Sequence, residues 1–276
     1  MFYVALEQYQ PNSHRLIRDE VARRMLPGRL NLLLSIFGIG PVRQGFLRLI
    51  EWSSPGMRST LCRKRYIDDK LVEALGSGID AVVILGSGLD TRAYRIPQIS
   101  TVRVYEIDLP QMISYKEGKL RQLYGSVPPH VKLIPIDFDR QHLEDALKDH
   151  GYSFDQTSFI IWEGVTQYIS ETAVRAVLES LAKVRQASRM VFTYITKDFI
   201  DGERKYGLER LSRRTRGLWR FGLHPSQTAA FIGKYAWKEL EQVGADEYRQ
   251  RYLDPMGITV SVMEIERTVY AEKRTT

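Results

Sequence analysis

Residues 79–95 read IDAVVILGSGLDTRAYR. Within them, AVVIL (81–85) is an unbroken apolar and largely β-branched run, which predicts a strand buried on both faces of a parallel sheet. The run stops at Gly86, and Gly86-Ser87-Gly88 is a turn too tight for side chains. Two glycines there let the backbone adopt positive φ and let a ligand lie against bare peptide N–H groups. A helix is expected from about Asp90, whose carboxylate caps the first N–H groups. Strand, glycine turn and helix form the nucleotide-binding corner of a doubly wound α/β fold. An ordinary strand-to-helix loop has the same outline, so the neighbouring segment decides.

That neighbour is VRVYEI (102–107), a second strand that runs into Asp108. Asp108 lies 20 residues beyond Gly88, where an acid at the end of the second strand accepts both hydroxyls of a ribose. One feature departs from the dinucleotide fingerprint. Its third glycine position, at which helix packs on strand, holds Thr91. A nucleoside ligand such as S-adenosylmethionine suits this corner better than NAD, because it needs no phosphate cradle.

Working outward, residues 131–136 (VKLIPI) read as a third strand entering Asp137-Phe138-Asp139, and residues 158–162 (SFIIW) as a fourth entering Glu163-Gly164. An acid–aromatic–acid cluster at a strand end suits an adenine, the carboxylate accepting from the amine and the ring covering the base. Asp139 reads equally as a cap for a helix over 141–147. Residues 189–195 (RMVFTYI) give a fifth strand, and final strands are expected near 246–251 and 264–271, after a partly helical stretch at 231–243. Helices are expected over 61–75, over 110–124, and after Ser170, where Val174, Val177, Leu178 and Leu181 share one face. Four successive strands thus end in polar or glycine clusters, the edge at which open α/β sheets bind ligands.

Residues 1–62 precede the sheet. Helical spacing at Leu16, Ile17, Val21 and Met25 predicts a helix over 13–26, stopped by Pro27-Gly28. A second helical region is expected over 30–50, broken near Gly38 to Pro41, and SSPG (53–56) reads as a turn. The most apolar stretch outside the sheet, 30–39, is too short to span a bilayer; it reads as a buried or lid helix in preference to a peripheral membrane contact. Residues 197–225 interrupt the α/β rhythm and are rich in arginine, with Tyr206, Trp219 and Phe221 interleaved. The expected organisation is one domain over 1–276: a helical cap (1–62), a cofactor-binding core (63–196), a basic lid (197–225) and the remainder of the core (226–276).

The net charge of +7 is unevenly distributed. Residues 1–70 carry 12 Lys/Arg against 6 Asp/Glu and residues 199–220 carry 7 against 3, which leaves the rest net acidic. Basic flanks with no helix-turn-helix, zinc spacing or aromatic RNA-binding strand argue against nucleic acid and for an anionic small molecule, free or on an acidic carrier protein. The single cysteine, Cys62, excludes an intramolecular disulfide and a cysteine-rich metal cluster, so no metal is expected, and it suits a cytoplasmic setting. MFYVALEQYQ lacks a secretory pattern.

RKRYIDD (63–69), VVILGSGLDTRAYR (82–95), VYEIDLP (104–110), PIDFD (135–139) and IIWEGVTQYI (160–169) together resemble the leucine carboxyl methyltransferase family, with its bacterial branch of tetracenomycin-type polyketide O-methyltransferases. The likeness runs from about Arg18 onward. It implies a class I S-adenosylmethionine-dependent O-methyltransferase with a Rossmann-like, mostly parallel sheet of about seven strands. At matching positions it implies that Gly86 and Gly88 form the cofactor turn, that Asp108 binds the ribose, and that Asp137 and Phe138 hold the adenine. Glu163 would face the methionine amino group and Arg63 its carboxylate, with Arg65 two residues away. The family's N-terminal cofactor-contacting basic residue has no clear counterpart; His14 and Arg15 stand nearest.

Transfer of methyl from a sulfonium is an in-line displacement that depends on alignment. A carboxylate acceptor is ionised above about pH 4 and needs no base, whereas a phenol of pKa about 10 benefits from one. His224 is the histidine nominated for that role. Tyr168, Tyr206, Trp219 and Phe221 are the candidates for packing the acceptor. An NAD(P)-dependent oxidoreductase and a non-catalytic S-adenosylmethionine-binding protein are the alternatives.

Overall fold

The computed structural model describes residues 1–37 and 55–274. Seven strands form one sheet: β1 (Ala81–Leu85), β2 (Arg103–Asp108), β3 (Val131–Pro135), β4 (Ser158–Trp162), β5 (Arg189–Ile195), β6 (Trp237–Val243) and β7 (Glu266–Lys273). Their spatial order is β3-β2-β1-β4-β5-β7-β6, with β1 to β5 parallel and β7 antiparallel to both its neighbours. From β1 the chain steps outward to β2 and β3, then returns across β1 to start β4. This reversal opens a crevice between β1 and β4 at their carboxyl ends.

Although β1 is uniformly apolar, its residues divide by strand geometry. Val82 and Ile84 pack with Tyr66, Ile67 and Leu71 of the long helix Pro55–Gly76. Ala81, Val83 and Leu85 face Val174, Val177 and Leu178 of the helix Glu171–Leu181. Ser170 caps that second helix, its hydroxyl accepting from Ala173 N at 3.1 Å. The helix Pro110–Tyr124 lies as expected.

Several sequence expectations need correction. Residues 13–26 are not one helix but a 3-10 turn (Asn12–His14) and a short helix (Ala22–Met25). Buried carboxylates take over the backbone bonds: Glu7 accepts from Leu16 N and Ile17 N, and Asp19 Oδ1 accepts from Val21 N and Ala22 N. The second N-terminal helix is Gly28–Phe37; the rest of the 30–50 reading and residues 53–54 of the expected turn lie outside the described residues. Pro55 and Gly56 belong to the long helix, proline being tolerated in a first helical turn. The helix expected over 141–147 is Leu143–Asp149.

At the other end of the chain, 246–251 is helical and the edge strand is Trp237–Val243. Lys238 to Gln242 are all good helix formers, but antiparallel pairing with β7 outweighs that local preference. A register shift between Glu239 and Glu241 also breaks the alternation by which a strand is read.

Candidate active site

The glycine turn and the acid of β2 are built as one unit. Ser87 N donates to Ile107 O at 2.9 Å, Gly88 N donates to Asp108 Oδ2 at 2.6 Å, and Leu109 N donates to Asp108 Oδ1 at 2.7 Å. Each carboxylate oxygen keeps a second lone pair for a ligand hydroxyl. Gly86 and Gly88 have φ of +67° and +45°. A Cβ on Gly86 would lie 2.1 Å from Val165 Cγ2, so this glycine makes room for the loop after β4. At Gly88 the nearest atom to such a Cβ is Asp108 Oδ2 at 4.0 Å, which leaves that peptide face open.

The helix beyond the turn starts at Arg92, a little later than expected, and Asp90 caps its first N–H group as expected. One oxygen of Asp90 accepts from Arg92 N, and the other meets the Arg92 guanidinium. Thr91, in place of the third glycine, is buried with its hydroxyl on Asp19.

A cleft opens beside this unit, lined by Met1, Thr60, Arg63, Lys64, residues 84–90, Glu163 and Gly164. Glu163, at the end of β4, receives three cations: Arg63 Nε at 2.9 Å, Arg92 Nη1 at 2.8 Å and Lys64 Nζ at 3.2 Å. Burial pushes the Glu163 carboxyl up, but Lys64, Arg92 and Arg63 together hold it well below the usual carboxylate range. Asp90 shows the same balance, its burial outweighed by Arg92 and Lys64. Arg63 is anchored a second time, with Nη1 on both oxygens of Glu266 at 2.5 and 2.6 Å. Arg92, 1% exposed, also binds Asp68 Oδ1 at 2.7 Å, and Arg95 takes the other Asp68 oxygen at 2.6 Å.

Arg63 therefore lines the cleft together with Gly86, Gly88 and Glu163, while Arg65 points away to Asp69 and Leu16 O. Asp137 and Phe138 follow β3 next to Asp108, since Ile136 N donates to Asp108 O at 2.8 Å. Phe138 packs on the sheet and Asp137 is half-exposed. Asp139 caps no helix of its own; it accepts from the Ser170 hydroxyl (2.7 Å) and from Arg220 (3.2 Å). The Arg220 backbone N–H in turn donates to Gln167 O at 2.7 Å. Residue 139 thus ties the arginine-rich segment to the ligand edge of the sheet.

Of the aromatic candidates, Tyr168 and Trp219 meet edge to face at 6.4 Å. Tyr206 donates to Asp198 and lies under the Arg204 guanidinium. Phe221 is instead buried against Phe231, facing the sheet layer. His224 directly precedes the 3-10 turn Pro225–Gln227 beyond β5 and does not line the cleft. His14 is exposed, and Arg15 turns to Gln10 O. Sequence reading brought Lys64 near the glycine turn without a role and missed Asp68, Asp90, Arg92 and Glu266 as parts of the site. The one local pairing is Asp90 with Arg92, two residues apart; the others span up to 203 residues.

The family model for leucine carboxyl methyltransferase matches residues 1–182, about two thirds of the chain. A provisionally named S-adenosyl-L-methionine-dependent methyltransferase of Mycobacterium marinum (strain ATCC BAA-535 / M) is 37% identical over 159 residues, 56% of this chain and 51% of that protein. A counterpart from Frankia alni is 31% identical over 144 residues, 52% of this chain and 50% of that protein. The chain spans about half the length of the curated relatives it matches. Among solved structures, a provisionally named methyltransferase from Thermobifida fusca YX superposes with a TM-score of 0.62 at 16% identity, covering 98% of both chains. Magnesium protoporphyrin IX methyltransferase from Synechocystis PCC 6803, solved with bound SAH, gives 0.50 at 11% identity over 79% of this chain and 87% of that one. These two likenesses concern the fold.

Proposed function

This chain belongs to the leucine carboxyl methyltransferase family, and we propose that it is an S-adenosylmethionine-dependent O-methyltransferase acting on the carboxylate of an anionic, largely apolar small molecule. The observation that carries this reading is the convergence, at the carboxyl ends of β1, β2 and β4, of an open glycine turn, a doubly anchored Asp108 and an ionised Glu163. The donor set fits the cofactor. Asp108 has lone pairs for ribose hydroxyls, Asp137 and Phe138 stand beside it for the adenine, and Glu163 and Arg63 offer opposite charges to an amino acid moiety.

S-adenosylmethionine supplies, when bound, a methyl group activated on a sulfonium. The chain's own contribution is alignment and exclusion of water. Residues 197–225 serve as the lid in this reading, tied to the site through Arg220, Asp139 and Gln167. Tyr168 and Trp219 would pack the acceptor's apolar body, while exposed Arg210, Arg213, Arg214 and Arg216 draw its charge or that of an acidic carrier.

The cofactor reading is tested by thermal unfolding with added S-adenosylmethionine and, separately, NADH. At a hundredfold excess over Kd, stabilisation of about 2.7 kcal/mol is expected for the first ligand and none for the second. A shift with NADH alone would replace this reading by an oxidoreductase.

The acceptor reading is tested by the pH dependence of kcat. A carboxylate acceptor, ionised above about pH 4, gives a flat profile across neutral pH and a harmless His224→Ala. A phenol deprotonated by His224 gives a rise through about pH 6.5 and a loss on the order of 10²–10⁴-fold in that variant. The second pattern, with cofactor affinity unchanged, would overturn the carboxylate.

A further inference from the structure

Three cations meet on Glu163, and they are not equivalent. Arg92 is 1% exposed and simultaneously holds Asp68 and Asp90. Arg63 is clamped by both oxygens of Glu266. Withdrawing either would unpair a second buried carboxylate, which is costly in a region shielded from water. Among the described residues the Lys64 ammonium makes its hydrogen bond and ion pair with Glu163 alone and acts on Asp90 only through space, and it straddles the two Glu163 oxygens at 3.2 Å, the longest of the three contacts. Its side chain lines the cleft at the end of a flexible four-carbon stem, and a strongly hydrated ammonium is readily returned to water.

We propose that Lys64 is an internal stand-in for the α-ammonium of the ligand: its Nζ occupies the place on Glu163 that this group takes, so binding displaces the Lys64 side chain and Lys64 weakens the affinity for the cofactor. The proposal rests on the reading of the cleft as a site for S-adenosylmethionine. A primary ammonium carries the same charge and the same three donors as Lys64 Nζ. Exchange of one for the other leaves Glu163 with three cations and changes neither the charge of the cluster nor the number of bonds to the carboxylate. Retaining both would crowd four cations around one carboxylate, with like charges in contact distance. Arg63 and Arg92 stay in place through the exchange, since their second anchors do not involve the ligand.

The test is titration calorimetry on the full chain with two probes, S-adenosylhomocysteine and 5′-methylthioadenosine. The first carries the aminoacyl group without the sulfonium charge, and the second lacks the aminoacyl group. Lys64→Met and Lys64→Gln are expected to bind S-adenosylhomocysteine about 3–10-fold tighter than the wild-type chain, because the ligand no longer has to break a largely buried ion pair. Binding of 5′-methylthioadenosine is expected to be unchanged. Weaker binding of S-adenosylhomocysteine in both variants would overturn the proposal and make Lys64 a ligand for the carboxylate; unchanged binding would overturn it as well. Failure of the underlying cofactor reading is separately recognisable, because the wild-type chain would then bind neither S-adenosylhomocysteine nor S-adenosylmethionine.

Discussion

Arg92→Met is expected to destabilise the chain by about 3–5 kcal/mol, the cost of removing one partner from a buried ionic cluster. The guanidinium joins Asp68, Asp90 and Glu163, which come from the long N-terminal helix, the glycine turn and the end of β4. Methionine fills much of the volume but leaves three carboxylates facing one another. The effect has a definite pH signature. With Arg92 present, Asp90 and Glu163 are held below their ordinary values, so their contribution to stability is full above the unfolded carboxylate pKa and is lost as pH falls through the depressed folded values. Without Arg92 those folded values rise, and the variant gains relative stability in acid. Urea unfolding at pH 7.5 and pH 4.5 should therefore show a gap between wild type and variant that narrows at the lower pH. A gap that is constant with pH would mean that Arg92 acts through packing instead of charge.

Asp108→Asn is expected to weaken binding of S-adenosylmethionine almost as severely as Asp108→Ala, by about 1–3 kcal/mol, or about 5-fold to 150-fold. The isosteric replacement fails because the carboxylate is an acceptor on both sides. Its two oxygens receive Gly88 N and Leu109 N, and each has a lone pair left for a ribose hydroxyl. An asparagine amide offers one oxygen and two N–H donors, so one backbone N–H would face another donor and the turn would lose its anchor. Calorimetry with both variants decides the point. Wild-type affinity in Asp108→Asn would show that the turn tolerates a missing acceptor, and wild-type affinity in Asp108→Ala would remove Asp108 from the site.

The parallel half of the fold was legible because a strand buried on both faces must be apolar throughout. AVVIL, SFIIW and RMVFTYI left little else to read, and their lengths and ends agree closely with β1, β4 and β5. Polar residues directly after such runs are conspicuous for the same reason, so the pairing of the glycine turn with Asp108 was visible as a spacing. The N-terminal region and β6 were not legible, whereas the final strand, read at 264–271, is β7. Glu7 and Asp19 satisfy backbone N–H groups that a helix over 13–26 would have satisfied itself, and those bonds exist only once the segments pack together. In β6 a helix-prone sequence is extended by its ladder with β7.

The cluster around Glu163 shows the division most clearly. The sequence by itself placed a glycine turn, Asp108 and Glu163 at the ends of the first, second and fourth strands, because hydrophobic runs and their breaks are local properties. Only the tertiary structure decided that Arg63 and not Arg65 faces the cleft and that Arg92 lies beneath it, and only the structure set Lys64 on Glu163. Opposite charges pair by proximity, across 71 residues for Arg92 and 99 for Lys64. Proximity between strands and helices so far apart in the chain is fixed by the packing of the sheet, which no local pattern records.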